Sequence, residues 1–529
     1  ITRDIVDPSG IPPIINGNTL DDSAPVSNNL DLTFTGGQAQ FTLNSSDVGK
    51  YSINLRDDTS GFARDDQGTA DTSDDVPLTI EGSSDTLTVR PFALGFTNIR
   101  QGALLNPGGT ATTGDKFVPA GDIFEATVGA YLWQAADDTN DDGVVDDPAV
   151  NDVTNNGLTP AYSFQTDLSS DTTGGYPPAA GLAGILGGST SPDTFTAGQQ
   201  SVSDLTYSEV GSMRMLAEAI DFLGTAGVNV TGQTIEPVGR FYPAYYEVVA
   251  VNITPASSVG GFTYMGQPDL GIQFIVQAHR VGGGVTTNYF TGGYDVAPVN
   301  VVAESNNDGV DLSGRVSGLP ATNWVGGEYV VNAPAVQFSR LANPDGPYED
   351  LALGVRVSDT FDDAELINQD MNPNDAGDCV AAGNCDAVTL GATSVLYGRA
   401  VLRNAYGRED QDLPLVYDTE YFDGTAFVIN SSSDVGNTSY DATSLSCADV
   451  YTADTLVCAD ITETGSNVSP GNSFTLSAPN KRGRLQYTLD VDDWLKYDWN
   501  GDGAQVVPQA LVTFGLRGDD RFIHWRETR

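Results

Sequence analysis

The chain has 529 residues, carries 71 Asp and Glu against 24 Lys and Arg, and has a formal net charge of −47. Such a length exceeds one hydrophobic core, and such a charge balance repels nucleic-acid phosphates, which excludes a nucleic-acid partner. Hydrophobic residues make up 40%, which is not the composition of a disordered polymer, and 59 Gly and 27 Pro among many Thr, Val, Asn and Asp favour strands joined by turns.

The expected fold class is all-β, with several immunoglobulin-like or Greek-key β-sandwich domains in tandem and long acidic loops between strands. Residues 1–90 read as an immunoglobulin-like sandwich, with short alternating runs at Leu30 to Phe34, Ala39 to Leu43 and Lys50 to Leu55, and a last strand at Asp85 to Arg90. The stretch from Asp57 to Asp75 is acidic and nearly devoid of apolar residues, as a solvated hairpin tip would be. Residues 91–236 read as a second β-rich unit that opens on the strand Pro91 to Phe96 and continues through Phe117 to Tyr131 into an acidic loop, Asp137 to Asn156. Residues 165–205 are rich in Gly, Ser, Thr and Pro, including Pro177-Pro178, and predict a long loop excursion. One stretch has helical spacing: Val210, Met213, Met215, Leu216, Ala219, Ile220 and Leu223 could share a helix face.

Residues 237–394 read as a β-sandwich, with runs at Tyr245 to Ile253, Phe262 to Met265, Ile272 to Ala278, Val330 to Phe338 and Leu351 to Val357. Residues 395–529 form a C-terminal β domain that holds Val395 to Leu402, the alternating run Leu485 to Asp490, a strand at Ala510 to Leu516 and the closing Phe522 to Glu527. Three of the five Trp (Trp494, Trp499 and Trp525) lie at this end and predict a well-packed anchor.

The four cysteines fall in two close pairs, Cys379 with Cys385 and Cys447 with Cys458, without the spacing of a zinc knuckle. Two local disulfides are expected, hence an oxidising compartment. No run of about 18 apolar residues could span a bilayer. No leader of basic then apolar residues stands at Ile1, so the start reads as a processing site or a truncation.

The strongest local signal is Asp138-Thr139-Asn140-Asp141-Asp142-Gly143-Val144-Val145-Asp146. Oxygen side chains stand at loop positions one, three, five and nine (Asp138, Asn140, Asp142, Asp146), Gly143 at six allows a sharp turn, and the Val144 carbonyl supplies position seven. A calcium ion needs six to eight hard oxygens wrapped round a point, and this spacing provides them. Ala149 stands at position twelve in place of the usual Glu, which weighs against a helix–loop–helix hand and favours a free-standing loop. Asp498, Asn500 and Asp502 repeat the first positions ahead of Gly503, with Val506 at nine. Glu304 to Gly309 is a weaker third copy, better read as a turn.

Catalysis finds little support, and no enzyme is expected. His279 lies in an alternating run and His524 stands between Ile523 and Trp525, both positions for structural histidines. No G-x-S-x-G elbow or H-E-x-x-H pair occurs. Tyr242, Tyr245 and Tyr246 could line a sugar-binding surface, but core packing is the favoured reading.

Several motifs follow one another in a fixed order: Asp47-Val48-Gly49-Lys50-Tyr51, Arg56-Asp57-Asp58, Val89-Arg90-Pro91-Phe92, Gly239-Arg240-Phe241-Tyr242-Pro243, Phe262-Thr263-Tyr264-Met265, Leu396-Tyr397-Gly398-Arg399-Ala400, Asn404-Ala405-Tyr406-Gly407, Asp493-Trp494-Leu495-Lys496-Tyr497-Asp498 and His524-Trp525-Arg526-Glu527. This set resembles the C-terminal region of MshQ-type proteins, which belong to the gene clusters of mannose-sensitive haemagglutinin (MSHA) type IV pili in Gram-negative bacteria. The resemblance implies an extracellular or cell-surface protein of pilus assembly or attachment, and it carries over no catalytic residues. The expected function is that of a pilus-associated adhesin or accessory subunit, with calcium stiffening its loops and with pilus or other filament subunits, and glycans, as partners. The alternative is a homo-oligomeric structural subunit of a surface filament or layer, in which Ile1 to Leu20 pairs with a neighbour's sheet edge.

Overall fold

The computed structural model describes residues 1–515, apart from residues 9, 59, 111–113, 172–177, 179, 307, 378, 380–382 and 452. Its regular elements are strands joined by turns, with a few single-turn 3-10 helices, so the chain is all-β. No helix among the described residues is long and apolar enough to cross a membrane.

The first unit is a small pair of sheets. Thr2–Asp7, Gly49–Asp57, Ile80–Ser83 and Leu87–Val89 form one, and Ile14–Ile15, Asn18–Thr19 and Leu43–Asn44 the other. Ile15, Leu20, Tyr51 and Ile53 fill the space between them. The runs expected at Leu30 to Phe34 and Ala39 to Leu43 do not become full strands: only a Thr35–Gln38 bridge and the two-residue Leu43–Asn44 strand form there. Phe34 lies exposed, and Leu30, Phe41 and Leu43 are only half-buried against the edge of that small core. The Thr2–Asp7 strand pairs antiparallel with Gly49–Asp57 of its own unit. The acidic stretch after Asp57 is an exposed hairpin tip in which Arg64–Asp65 pairs with Val76–Pro77.

The second unit is built on a nine-stranded sheet with Ala93–Gln101 and Phe124–Tyr131 at its centre. Two expectations fail here. Val210 to Leu223 is not a helix: Gly211–Ala219 is a strand, followed by a single turn at Phe222–Gly224. Met213, Met215, Ala217 and Ala219 are buried at every second position while Glu218 is exposed, the period of a strand. Nor is 165–205 one long loop, because Asp167–Asp171, Leu186–Gly187 and Gln199–Tyr207 all join the sheet. Asp167–Asp171 pairs with Gly211–Ala219 over five residue pairs, and that partnership satisfies a polar backbone which little apolar side-chain burial supports. Pro177 lies outside the described residues.

In the third unit, a six-stranded sheet centred on Leu270–His279 faces a four-stranded sheet of Phe262–Tyr264, Val388–Leu396, Tyr348–Val357 and Val299–Ser305. Ile272, Phe274 and Val276 from one sheet meet Leu351, Leu353 and Val355 from the other in one core. The fourth unit repeats this plan. A five-stranded sheet around Leu413–Phe422 faces Ala405–Gly407, Gln509–Phe514, Gly483–Leu489 and Leu445–Ala448. Gly483, Leu485, Tyr487 and Leu489 point inward at every second position, against Leu415, Tyr417, Phe474 and Leu476. The run read as one strand from Val395 to Leu402 is two, Val388–Leu396 and Gly398–Leu402, which belong to different sheets. Trp494 stacks on Tyr264 at 5.5 Å between ring centroids and so ties this end to the third unit. The last strand ends at Phe514; Leu516, the closing Phe522 to Glu527, His524 and Trp525 lie outside the described residues. Cys379 is bonded to Cys385, and Cys447 to Cys458.

Candidate metal centre

The loop after the Phe124–Tyr131 strand is organised by Asp138, which is 2% exposed. Its Oδ1 accepts the Asp142 N–H at 3.1 Å, and its Oδ2 accepts those of Gly143 at 2.8 Å and the Trp133 indole at 2.9 Å. Asn140 Oδ1 accepts the Asp142 N–H at 3.0 Å, and Asp142 Oδ1 accepts the Val144 N–H at 2.9 Å. The Asp146 N–H returns to the Asp137 carbonyl at 2.8 Å and closes the loop. Arg90 donates to the Gly143 carbonyl and, at 3.0 Å each, to those of Pro91 and Phe92, which docks the loop on the start of the unit. Burial works to raise the Asp138 carboxyl, but the indole and backbone N–H donors outweigh it and hold the group below its ordinary value.

The second loop, 360 residues on, follows the same plan. Asp498 Oδ1 accepts the N–H groups of Gly501 at 2.7 Å and Asp502 at 3.0 Å, and its Oδ2 that of Gly503 at 2.8 Å. Asp502 Oδ1 accepts the Ala504 N–H at 3.0 Å, and the Val506 N–H closes on the Tyr497 carbonyl at 3.0 Å. Positions four and six are left-handed in both loops: Asp141 (φ 60°) and Gly143 (φ 76°) in one, Gly501 (φ 72°) and Gly503 (φ 87°) in the other. Glycine and aspartate tolerate that region, and the two reversals turn the N–H groups of positions five and six back onto the position-one carboxylate. The Asp498 carboxyl is held low chiefly by the Gly503 N–H, with Asp502, Gly501 and Asn500 adding to it against a burial cost.

The donor set is all oxygen, as a hard cation requires. Asp138 Oδ1 and Asn140 Oδ1 meet at the Asp142 N–H, while the Asp142 carboxylate turns to the Val144 N–H. Asp146 Oδ2 is taken up by Thr139, accepting its N–H at 2.8 Å and its hydroxyl. Among the described residues, no three carboxylates of either loop place oxygens within 4.8 Å of one another, so an ion would have to draw them in. Each loop also walls a cavity. Gly143, Val144 and Val145 line one of about 470 Å³ with Arg90, Asp152 and Glu236, and Trp499, Asn500 and Val506 line one of about 180 Å³ with Gln509.

The aromatic candidates separate. Tyr246 is core, its hydroxyl donating to Asp359 Oδ2 and bonded to the Tyr289 hydroxyl, at 2.7 Å each. Tyr245 stacks on the buried His279, which sits 3.4 Å from Glu247. Lys116 lies 5.5 Å above the Tyr242 ring. Arg399, to which no spacing rule assigns a role, has its guanidinium packed among Phe427, Tyr497 and Trp499 at 3.8, 4.8 and 4.7 Å from their ring centres, beside the second loop. The only local signal for it was its place in the Gly398-Arg399-Ala400 motif, since its ring partners lie far along the chain.

Residues 209–386 match the third domain of DUF6701, and residues 396–528 the fourth. The first of these matches takes in the Gly211–Ala219 strand of the nine-stranded sheet. No curated protein matches the chain. Among solved structures it is similar to the I9–I11 tandem of titin, at 7% identity and a TM-score of 0.21, over 75% of this chain and 94% of the titin chain.

Proposed function

From the premise that this chain carries the third and fourth domains of DUF6701, we propose that it is an extracellular, pilus-associated adhesin or accessory subunit of a Gram-negative bacterium. It acts by binding and assembly and turns over no substrate. The kinship is to MshQ-type proteins of MSHA pili, and the ordered motifs between Asp47 and Glu527 support it. Calcium is its ion, taken by Asp138, Asn140, Asp142, Asp146 and the Val144 carbonyl, and by Asp498, Asn500 and Asp502. Its partners are pilus or other filament subunits, with glycans as a further ligand class. Both disulfides fit an oxidising compartment.

One observation carries the calcium reading: two loops far apart in sequence share the same hydrogen bonds at position one, the same left-handed positions and the same closing bond. In a chain of net charge −47, acidic loops repel themselves, and a divalent ion removes that repulsion and stiffens the units that present a surface. Pairing of Thr2–Asp7 within its own unit favours this reading over a filament subunit that lends the strand to a neighbour. Immunogold labelling of intact cells tests it. Single copies on pili are the expected result; continuous polymers of this chain, or labelling confined to the cell interior, would overturn it.

A further inference from the structure

We propose that the hairpin after the Val299–Ser305 strand holds a further calcium ion, on the carboxylates of Glu304, Asp308 and Asp311. The hairpin is tightly made: Glu304 and Asp311 face each other in an antiparallel bridge, the Leu312 N–H bonds to the Ala303 carbonyl at 2.8 Å, and the Asp308 N–H to the Ser305 carbonyl at 3.0 Å. Its tip is roofed by a neighbouring loop, since a Cβ on Gly309 would stand 2.6 Å from the Ala376 nitrogen.

Glu304 is 1% exposed, and its Oε2 is buried with no hydrogen-bond partner among the described residues. An ionised carboxylate in that position is costly unless a cation or a proton neutralises it. Among the described residues no cationic side chain forms an ion pair with it. Arg356 is near enough to influence Asp311, but it donates to Asp386 Oδ1 at 2.7 Å. The groups that face Glu304 are acids: burial first, then Asp308 and Asp311, push its carboxyl above the ordinary value. Both are exposed, and each spends one oxygen on a backbone N–H, Asp308 on Val310 at 3.0 Å and Asp311 on Ser313 at 2.8 Å.

Three carboxylates with no nitrogen or sulfur donor among them suit a hard ion and not zinc. Among the described residues these oxygens are not yet gathered within 4.8 Å, so binding pulls the two exposed aspartates in over Glu304. The site shares no residue with the two loops above and does not depend on the pilus reading.

Calcium stoichiometry measured by equilibrium dialysis and titration calorimetry tests the inference. The background is a chain in which both loops are disabled by Asp138→Asn, Asp142→Asn, Asp498→Asn and Asp502→Asn. One ion should remain on that chain, and adding Glu304→Gln should abolish it. Asp308→Asn or Asp311→Asn, surface changes that leave the fold intact, should each weaken it by about tenfold through lost ligand charge. If the disabled chain binds no ion, or keeps its ion in all three added variants, the inference is overturned. If the unaltered chain binds one ion that Glu304→Gln removes and the loop substitutions spare, this site stands and the calcium loops fall.

Discussion

Arg240 and Asp362 form a buried ion pair across 122 residues, Nη1 to Oδ1, with both residues 1% exposed. Tyr294 donates its hydroxyl to Asp362 Oδ2 at 3.0 Å, and the Phe361 ring lies 4.0 Å under the guanidinium. Arg240 comes from the Val238–Phe241 strand of the second unit's sheet, and Asp362 from the loop before Glu365–Leu366 in the third. The pair therefore joins two β units. Arg240→Met leaves the Asp362 carboxylate buried and unpaired, which should cost about 3–5 kcal/mol. Urea unfolding should show that loss in the variant and a large recovery in Arg240→Met with Asp362→Leu. Equal destabilisation in the single and double variants would contradict the pairing.

The same aspartate sets a pH dependence. Burial, only partly offset by Arg240, pushes the Asp362 carboxyl up to about 6. The native state then binds this proton more tightly than the unfolded chain, so stability from the group is full below the ordinary carboxylate range and is lost as pH rises through about 6. Its size is roughly 3 kcal/mol at most. Calorimetry at constant ionic strength should find a higher melting temperature at pH 5 than at pH 7, with a smaller difference in Asp362→Asn. An unchanged difference in that variant would assign the effect to net charge alone.

Calcium should raise the melting temperature and a chelator at low salt should lower it. At a hundredfold excess over the dissociation constant, one site stabilises by about 2.7 kcal/mol. Asp138→Asn should cut the shift for the second unit and Asp498→Asn that for the fourth, each leaving the other in place. A melting curve indifferent to chelator would remove the calcium-stiffened loop.

Arg399 should not be replaceable by lysine. Its planar guanidinium contacts three rings and forms two bonds to Glu420 Oε2, at 3.0 and 2.7 Å, which an ammonium cannot reproduce. Arg399→Lys should destabilise the fourth unit by about 1–2 kcal/mol and shift the fluorescence of Trp499, which is 37% exposed. A change confined to stability, with unaltered Trp499 emission, would show that the ring contacts are incidental.

Much of the strand content was readable because a strand's burial pattern has period two. Gly483–Leu489 shows it directly, as does the Asp138 loop for polar spacing, since its hydrogen bonds span only two to five residues. Gly211–Ala219 shows where that legibility ends. Its apolar residues match a spacing of two and of three to four, and the tie was broken by pairing with Asp167–Asp171 and Val230–Gln233. Tyr289 and Tyr294 sit in the core although they come from irregular chain, because loops can fold over a sandwich.

The order of residues alone thus determined the all-β character, the cysteine pairs and the local shape of the acidic turns, since each depends on neighbours a few positions apart. Tertiary structure decided which strands share a sheet, how Arg240 reaches Asp362, which rings enclose Arg399 and why Glu304 Oε2 finds no hydrogen-bond donor among the described residues. Those outcomes depend on burial and on charges meeting across tens to hundreds of residues. Proximity of that kind comes into being only when the sheets have packed.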